Sequence, residues 1–310
     1  MANGMMRAIS IQDYGGPESL KLESVARPEP KAGEVLVRIK AAGVNPIDWK
    51  LRAGYLKAFM PVTFPWIPGI DAAGIVESVG AGVTAFKPGQ AVFGLFGGAY
   101  AEYALASAGD LAPKPERLSF EEAATIPVPA LTAWKALIED GQVSAGQRVL
   151  ILGAAGGVGS FAVQLARWKG ADVIVTGSPD NADFLRALGA ETVIDYRSQA
   201  FEQELRDIDL VLDAVGGETL DRAYAVVKRG GLLLTIAGQV SPEKAQARGI
   251  RAQVTGRGPA DRLKQIMELI ELGKLKLRVG TTFPLAEARK AHELGQTGHG
   301  KGRIVLRVGG

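Results

Sequence analysis

The sequence predicts an α/β fold in two domains, a small mostly-β domain and a doubly wound parallel-sheet domain, on three observations. The first third of the chain carries short runs of alternating apolar and polar residues broken by glycine and proline. After Gln147, apolar strands alternate with helix-period segments, the signature of βαβ units. One strand of this second part runs directly into a glycine-rich turn that opens a helix.

In chain order, EVLVRIKAAGV at 34–44 reads as a half-buried strand. Further strands are expected at 74–79, 91–96 and 100–105, set apart by glycines, prolines and KPGQ at 87–90. Ser119 and Glu122 have the spacing of a capping box that starts a helix. RVLILG, SFAVQLARWKG, DVIVTG, DNADFLRALGA and TVIDY then repeat strand and helix. The pattern goes on through DLVLDAVGG at 209–217, a helix over 219–228 and the strand GLLLTIAG at 231–238. An amphipathic helix over 263–272 stops at Gly273. A helix opened by Pro284 and a strand over 303–308 break the alternation, so the last segment is expected to return to the first domain. The expected division is 1–127, then 128–265, then 266–310 as the return.

Composition narrows the chemistry. At 310 residues, 47% hydrophobic and 22% charged, the chain is a packed protein of two domains rather than a disordered or coiled-coil one. No run approaches the roughly 18 apolar residues of a membrane span, and the first residues have no apolar segment of the signal-peptide kind, so a cytoplasmic location is expected. The chain holds no cysteine and only two histidines, His292 and His299, so neither a thiolate zinc site nor any other intrinsic metal site is expected. The net charge of +3 is spread among 36 basic and 33 acidic residues, which gives no nucleic-acid patch.

The strand RVLIL ends in GAAGGVG at 153–159 and opens into SFAVQLARW. With Ala154, Gly156 and Gly159 at the three positions of a G-x-G-x-x-G dinucleotide fingerprint, Gly156 admits a pyrophosphate to the backbone and Gly159 lets helix and strand pack closely. The helix N-terminus supplies free N–H groups and the positive end of its dipole. Ala154 departs from the pattern, and a ligand-free tight turn is the alternative. An NAD-selective site places an acid at the end of the second strand. Here that strand ends in Gly177 and Ser178, which favours NADPH. Asp180 reads instead as a first-turn acid behind Ser178 and Pro179. Arg197 is the candidate for the 2'-phosphate.

With AAGGVG at 154–159, GVNPIDWK at 43–50, PGIDAAGIVESVG at 68–80, LTAW at 131–134 and GHGKGRIVL at 298–306, the chain resembles zinc-free medium-chain quinone oxidoreductases, in their enone and alkenal reductase branch, over about 7–308. The resemblance implies a GroES-like catalytic domain, a Rossmann domain and an active site in the cleft between them. Zinc-dependent relatives carry cysteine, histidine and a hydroxyl residue where this chain has Asn45, Ile70 and Ile47. Carried over, Asn45 belongs with the substrate and nicotinamide, Pro46 and Thr132 lie on the cofactor side, and Ala154, Ala155, Gly156, Gly157 and Val158 cover the pyrophosphate. Gly177, Ser178, Tyr196 and Arg197 face the 2'-phosphate. Val215, Ala237, Gly238 and Gln239 line the nicotinamide ribose, and Lys301 and Arg303 complete the cofactor set. Lys50 stands where many quinone reductases have tyrosine and enone reductases have lysine. Its alternative is a surface lysine paired with Asp48.

The resemblance therefore implies an NADPH-dependent, metal-free reductase, a homodimer, that transfers hydride to a quinone or to the double bond of an enone. Lys50 and the Asn45 amide would donate to the developing oxyanion, and water, Lys50 or Tyr55 would supply the proton. An enoyl-thioester reductase and a non-catalytic NADPH-binding protein, crystallin-like or RNA-binding, remain as alternatives. The absence of a basic stretch interleaved with aromatics speaks against RNA.

Overall fold

The computed structural model describes residues 4–298 and 302–309, so Lys301, expected on the cofactor, and His299 lie outside the described residues. The chain forms two compact units, one of Met1–Val128 with Leu277–Gly310 and one of Pro129–Lys276.

The first unit opens with β1 (Met5–Ser10) and β2 (Lys21–Ala26), an antiparallel pair, and continues with β3 (Glu34–Gly43), α1 (Pro46–Arg52), β4 (Asp71–Val79), β5 (Ala91–Leu95), β6 (Tyr103–Ser107), β7 (Leu111–Pro113) and α2 (Phe120–Ala123). β3 is the spine. It pairs antiparallel with β4 and with β6, and Val35, Val37 and Ile39 point into the core formed with Val76, Val92 and Ala104. Ser119 and Glu122 close the expected capping box on α2. The strand expected over 100–105 begins later, at Tyr103. The Tyr100 backbone is held instead by Pro68 O and by the Ile9 N–H.

The second unit follows α3 (Pro127–Trp134) with β8 (Arg148–Leu152), α4 (Gly157–Trp168), β9 (Asp172–Gly177), α5 (Ala182–Leu188), β10 (Thr192–Asp195), α6 (Phe201–Glu204), β11 (Ile208–Asp213), α7 (Gly217–Ala223), β12 (Val227–Thr235), α8 (Pro242–Arg248), β13 (Arg251–Val254) and α9 (Leu263–Glu271). Its sheet is wholly parallel in the order β10-β9-β8-β11-β12-β13, so the strand order reverses between β8 and β11. Buried on both faces, its strands read as apolar runs such as VLIL and LVL. The helix expected over 219–228 is shorter. Val227 is already paired with Ile208 of β11, and that strand pairing outcompetes another helical turn.

The chain then re-enters the first unit, where α9 does not follow it. β14 (Val279–Pro284) and α10 (Ala288–Thr297) lead to β15 (Arg303–Arg307), which pairs antiparallel with β3 and parallel with β14. This return carries Arg303 and His292 into the unit that holds Asn45.

Candidate functional site

The sequence-predicted residues fall into two groups, one in each unit. In the first unit Asn45 is the N-cap of α1 and is 2% exposed. Its side chain is fully oriented. Nδ2 donates to Asp71 Oδ2 at 3.0 Å, and Oδ1 accepts from Arg303 Nη2 at 2.6 Å. Its backbone N–H donates to Asp48 Oδ2 at 2.8 Å. An amide has two N–H hydrogens, so one donor of Asn45 remains. Arg303 also stands 3.7 Å from Asp71 Oδ2, and its Nε is buried without a partner. The guanidinium expected on the cofactor thus also orients Asn45 and faces the Asp71 carboxylate.

Behind Asn45 lies a buried polar chain that sequence reasoning did not find. Tyr100 donates its hydroxyl to Asp48 Oδ2 at 3.1 Å, and His292 Nε2 lies 3.3 Å from the same hydroxyl. His292 Nδ1 lies 3.4 Å from Arg52 Nη1, and Arg52 Nη2 donates to Gln296 Oε1. Burial, reinforced by the Arg52 cation, pulls the His292 pKa down to about 3, so the ring is a neutral hydrogen-bonding group. Burial pushes Asp48 up to about 7, against the pull of the Asn45 N–H and with help from the nearby Asp71 charge. The N-P-I-D run was the one available signal for Asp48, because a residue at the third helical position can reach back to the cap.

These two shifts oppose each other in stability. A carboxyl whose folded pKa lies above its unfolded value makes the folded state hold the extra proton, so stability falls as pH rises from about 4 to about 7. His292 acts in the other sense, its contribution being lost as pH falls from about 6.5 toward 3. Asp48→Asn removes the first effect, which for a shift to about 7 corresponds to roughly 4 kcal/mol. The variant should therefore gain stability relative to wild type between pH 5 and pH 8, measured by urea unfolding. A difference between the two proteins that stays constant with pH counts against the assignment.

Lys50 does not pair with Asp48. Residues two apart on a helix point in different directions, and Asp48 turns inward while Lys50 is half-buried with Nζ 5.7 Å from the Trp49 ring. Tyr55, just beyond α1, is 70% exposed and meets Trp49 edge-on. Pro46 is exposed at the first position of α1.

In the second unit the turn after β8 has a different register from the expected one. Gly153, not Ala154, takes the left-handed conformation at φ +78°, and its carbonyl accepts from the Gly156 N–H at 3.1 Å. The tight-turn glycine is therefore present, one residue earlier, and Ala154 is fully buried against the helix start. A Cβ on Gly159 would lie 2.4 Å from Gly153 O and 2.6 Å from Ala154 Cα, which is why this position must be glycine. Gly156 caps α4 without a side-chain hydrogen bond, and Gly156 itself is exposed. The N–H groups of the first turn, from Gly157 and Val158 on, thus have no side-chain cap, an arrangement that fits a pyrophosphate.

At the end of β9, Gly177 and Ser178 are buried, and Ser178 Oγ accepts from Asn181 Nδ2 at 3.1 Å. A Cβ on Gly177 would stand 2.4 Å from Leu185 Cδ1, so an acid placed there must displace that leucine. Tyr196 is 53% exposed beyond β10, and Arg197, also exposed, is anchored by its N–H on Asp195 Oδ1. Val215, 52% exposed, follows β11. Ala237, Gly238 and Gln239 follow β12, and Thr132 is buried on α3. Among the described residues no group of three or more His, Cys, Asp or Glu is placed to hold a metal ion.

The profile of the alcohol dehydrogenase GroES-like domain matches residues 31–116, and that of the zinc-binding dehydrogenases matches 188–306. The chain is 38% identical to the 2-methylene-furan-3-one reductase of Solanum lycopersicum over 97% of its own length and 79% of the relative's. To the chloroplastic NADPH-dependent alkenal/one oxidoreductase of Arabidopsis thaliana it is 37% identical over the same shares. The quinone oxidoreductase of Coxiella burnetii superposes with a TM-score of 0.89 at 34% identity, covering 98% of this chain and all of that one. Identity of this degree over nearly the whole length, in both units, places the chain in the medium-chain dehydrogenase/reductase family, within its zinc-free quinone and enone oxidoreductase group.

Proposed function

We propose that the protein is an NADPH-dependent reductase of quinones or of the carbon–carbon double bond of α,β-unsaturated carbonyl compounds. The observation that carries the reading is the turn from Gly153 to Gly159, which ends β8 beside the reversal of strand order and leaves the start of α4 uncapped by any side chain. Relatives named for alkenal, enone and quinone reduction support it.

Ala155, Gly156, Gly157 and Val158 would hold the pyrophosphate, and Ser178, Tyr196 and Arg197 the adenosine 2'-phosphate. Bound NADPH supplies a hydride. The protein's own task is then to orient the acceptor and to meet the charge that develops on its oxygen. Asn45 offers its remaining amide hydrogen, aimed by Asp71 and Arg303. Lys50, whose Nζ stands 5.7 Å from the Trp49 ring, offers an ammonium. Water, Lys50 or the exposed Tyr55 delivers the proton. The same proposal includes a homodimer, supported by β13 as an open edge of the parallel sheet, and a cytoplasmic location; no helix among the described residues is long and apolar enough to cross a membrane.

The test is NADPH and NADH oxidation followed against short enones, long enals, quinones and enoyl thioesters, with and without a chelator. Turnover of enones or quinones with NADPH preferred and no chelator effect is expected. Activity confined to enoyl thioesters, or none with any acceptor, rejects the reading. Within it, Lys50→Met should slow single-turnover hydride transfer by roughly tenfold with NADPH affinity kept. This is less than the 100- to 1000-fold typical for loss of a single oxyanion donor, because Asn45 shares the role. An unchanged rate removes Lys50 from the site.

A further inference from the structure

We propose that Asp213 and Thr235 are positioning residues that clip together the two loops serving the nicotinamide half of the dinucleotide; this rests on the functional reading above. β8, β11 and β12 end level with one another, since Asp213 pairs with Leu152 on one side and with Thr235 on the other. The Asp213 side chain is fully buried, yet the equivalent last residue of β8 is leucine and that of β9 is glycine, so the packing of a parallel sheet does not call for a carboxylate there.

What the carboxylate does is gather donors. Oδ1 accepts from the N–H groups of Val215 and Gly216, both at 3.0 Å, and Oδ2 accepts from Thr235 Oγ1 at 2.7 Å. The Thr235 hydroxyl has one proton and gives it to Asp213, which leaves its lone pairs for the Ala237 N–H at 3.1 Å. One relay thus fixes the backbone on both sides, the loop after β11 directly and the loop after β12 through the threonine. The loops also touch, since a Cβ on Gly216, at φ +80°, would stand 2.5 Å from Ala237 O. Val215 is held by its N–H with its apolar side chain 52% exposed, and its Cγ2 lies 3.1 Å from where a Cβ on Gly153 would be. The clip therefore sets the height of Val215 and Ala237 relative to the turn that would hold the pyrophosphate.

Thr235→Val is nearly isosteric and cuts only the arm to Ala237, leaving Val215 and Gly216 on Asp213. Affinity for NADPH should weaken about three- to tenfold, the size of one net hydrogen bond. Affinity for 2'-phospho-ADP, which lacks both the nicotinamide and its ribose, should stay unchanged by calorimetry. Single-turnover hydride transfer should slow by about 10- to 100-fold, as expected from a small misplacement of a reacting ring. Thr235→Ser, which keeps the hydroxyl, should restore both. Equal losses for NADPH and 2'-phospho-ADP together with a lowered Tm, a failure of serine to rescue, or wild-type behaviour of Thr235→Val would each overturn the proposal. A folded wild-type protein that binds neither compound would overturn the functional reading itself.

Discussion

Replacing Arg303 by methionine is expected to lower the unfolding free energy of the first unit by about 3–5 kcal/mol, the cost of removing one partner from a buried ion pair. Asp71 is fully buried 3.7 Å from the Arg303 guanidinium. It also accepts the Asn45 Nδ2–H and the Val128 N–H, so it cannot turn to solvent. Asn45 Oδ1 loses its 2.6 Å donor at the same time. Lysine is a poor substitute, since a point charge cannot serve the planar contacts of guanidinium. Hydrogen exchange locates the effect. Protection should fall in β3, β4 and β15 and persist in the parallel sheet of the other unit. The double variant Asp71→Asn with Arg303→Met should recover part of the loss, because the charge that Arg303 faced is then removed as well. Equal destabilisation by Arg303→Met and by the double variant is incompatible with loss of the Asp71–Arg303 ion pair as the cause.

Gly159→Ala should weaken NADPH binding by more than about tenfold and lower stability by roughly 1–3 kcal/mol, the usual range for overpacking. The added methyl would meet backbone on both sides, Gly153 O at 2.4 Å and Ala154 Cα at 2.6 Å, and backbone cannot rotate away as a side chain can. Relief requires α4 to move off β8, carrying the free N–H groups of its first turn away from the pyrophosphate. Gly156→Ala separates the two effects. Its nearest neighbour would be Gly153 O at 3.2 Å, and it is exposed at a φ of −73° that alanine accepts, so stability should hold while the methyl obstructs the ligand. Calorimetric titration with NADPH beside thermal melts distinguishes them. Full NADPH affinity in Gly156→Ala would mean that the dinucleotide does not pass over this turn.

Sequence alone determined what depends on neighbours in the chain. The alternation of apolar strands and helices from β8 onward, the capping box at Ser119 and the strand β3 are local patterns of period 2 or 3.6, and they reappear in the structure close to their expected bounds. The absence of cysteine excluded thiolate zinc chemistry by composition. The prominence of Asn45 came from the resemblance that GVNPIDWK at 43–50 helps to carry, and that of the cofactor turn from its glycines. Tertiary structure decided the rest. Asn45 and Arg303 are 258 residues apart in sequence, and Tyr100 and His292 are 192 apart; no periodicity relates them. β15 brings Arg303 beside β3, where it donates to Asn45, and α10 turns His292 inward. β13 and β14 were missed because short strands are selected by the edges they pair with. The glycine register was misplaced by one residue because a sequence shows which residues lack a side chain, while only the folded backbone shows which of them sits at positive φ. Asp213 went unremarked for the same kind of reason: a carboxylate at a strand end looks like a solvated turn residue until the neighbouring strand delivers the threonine that it holds.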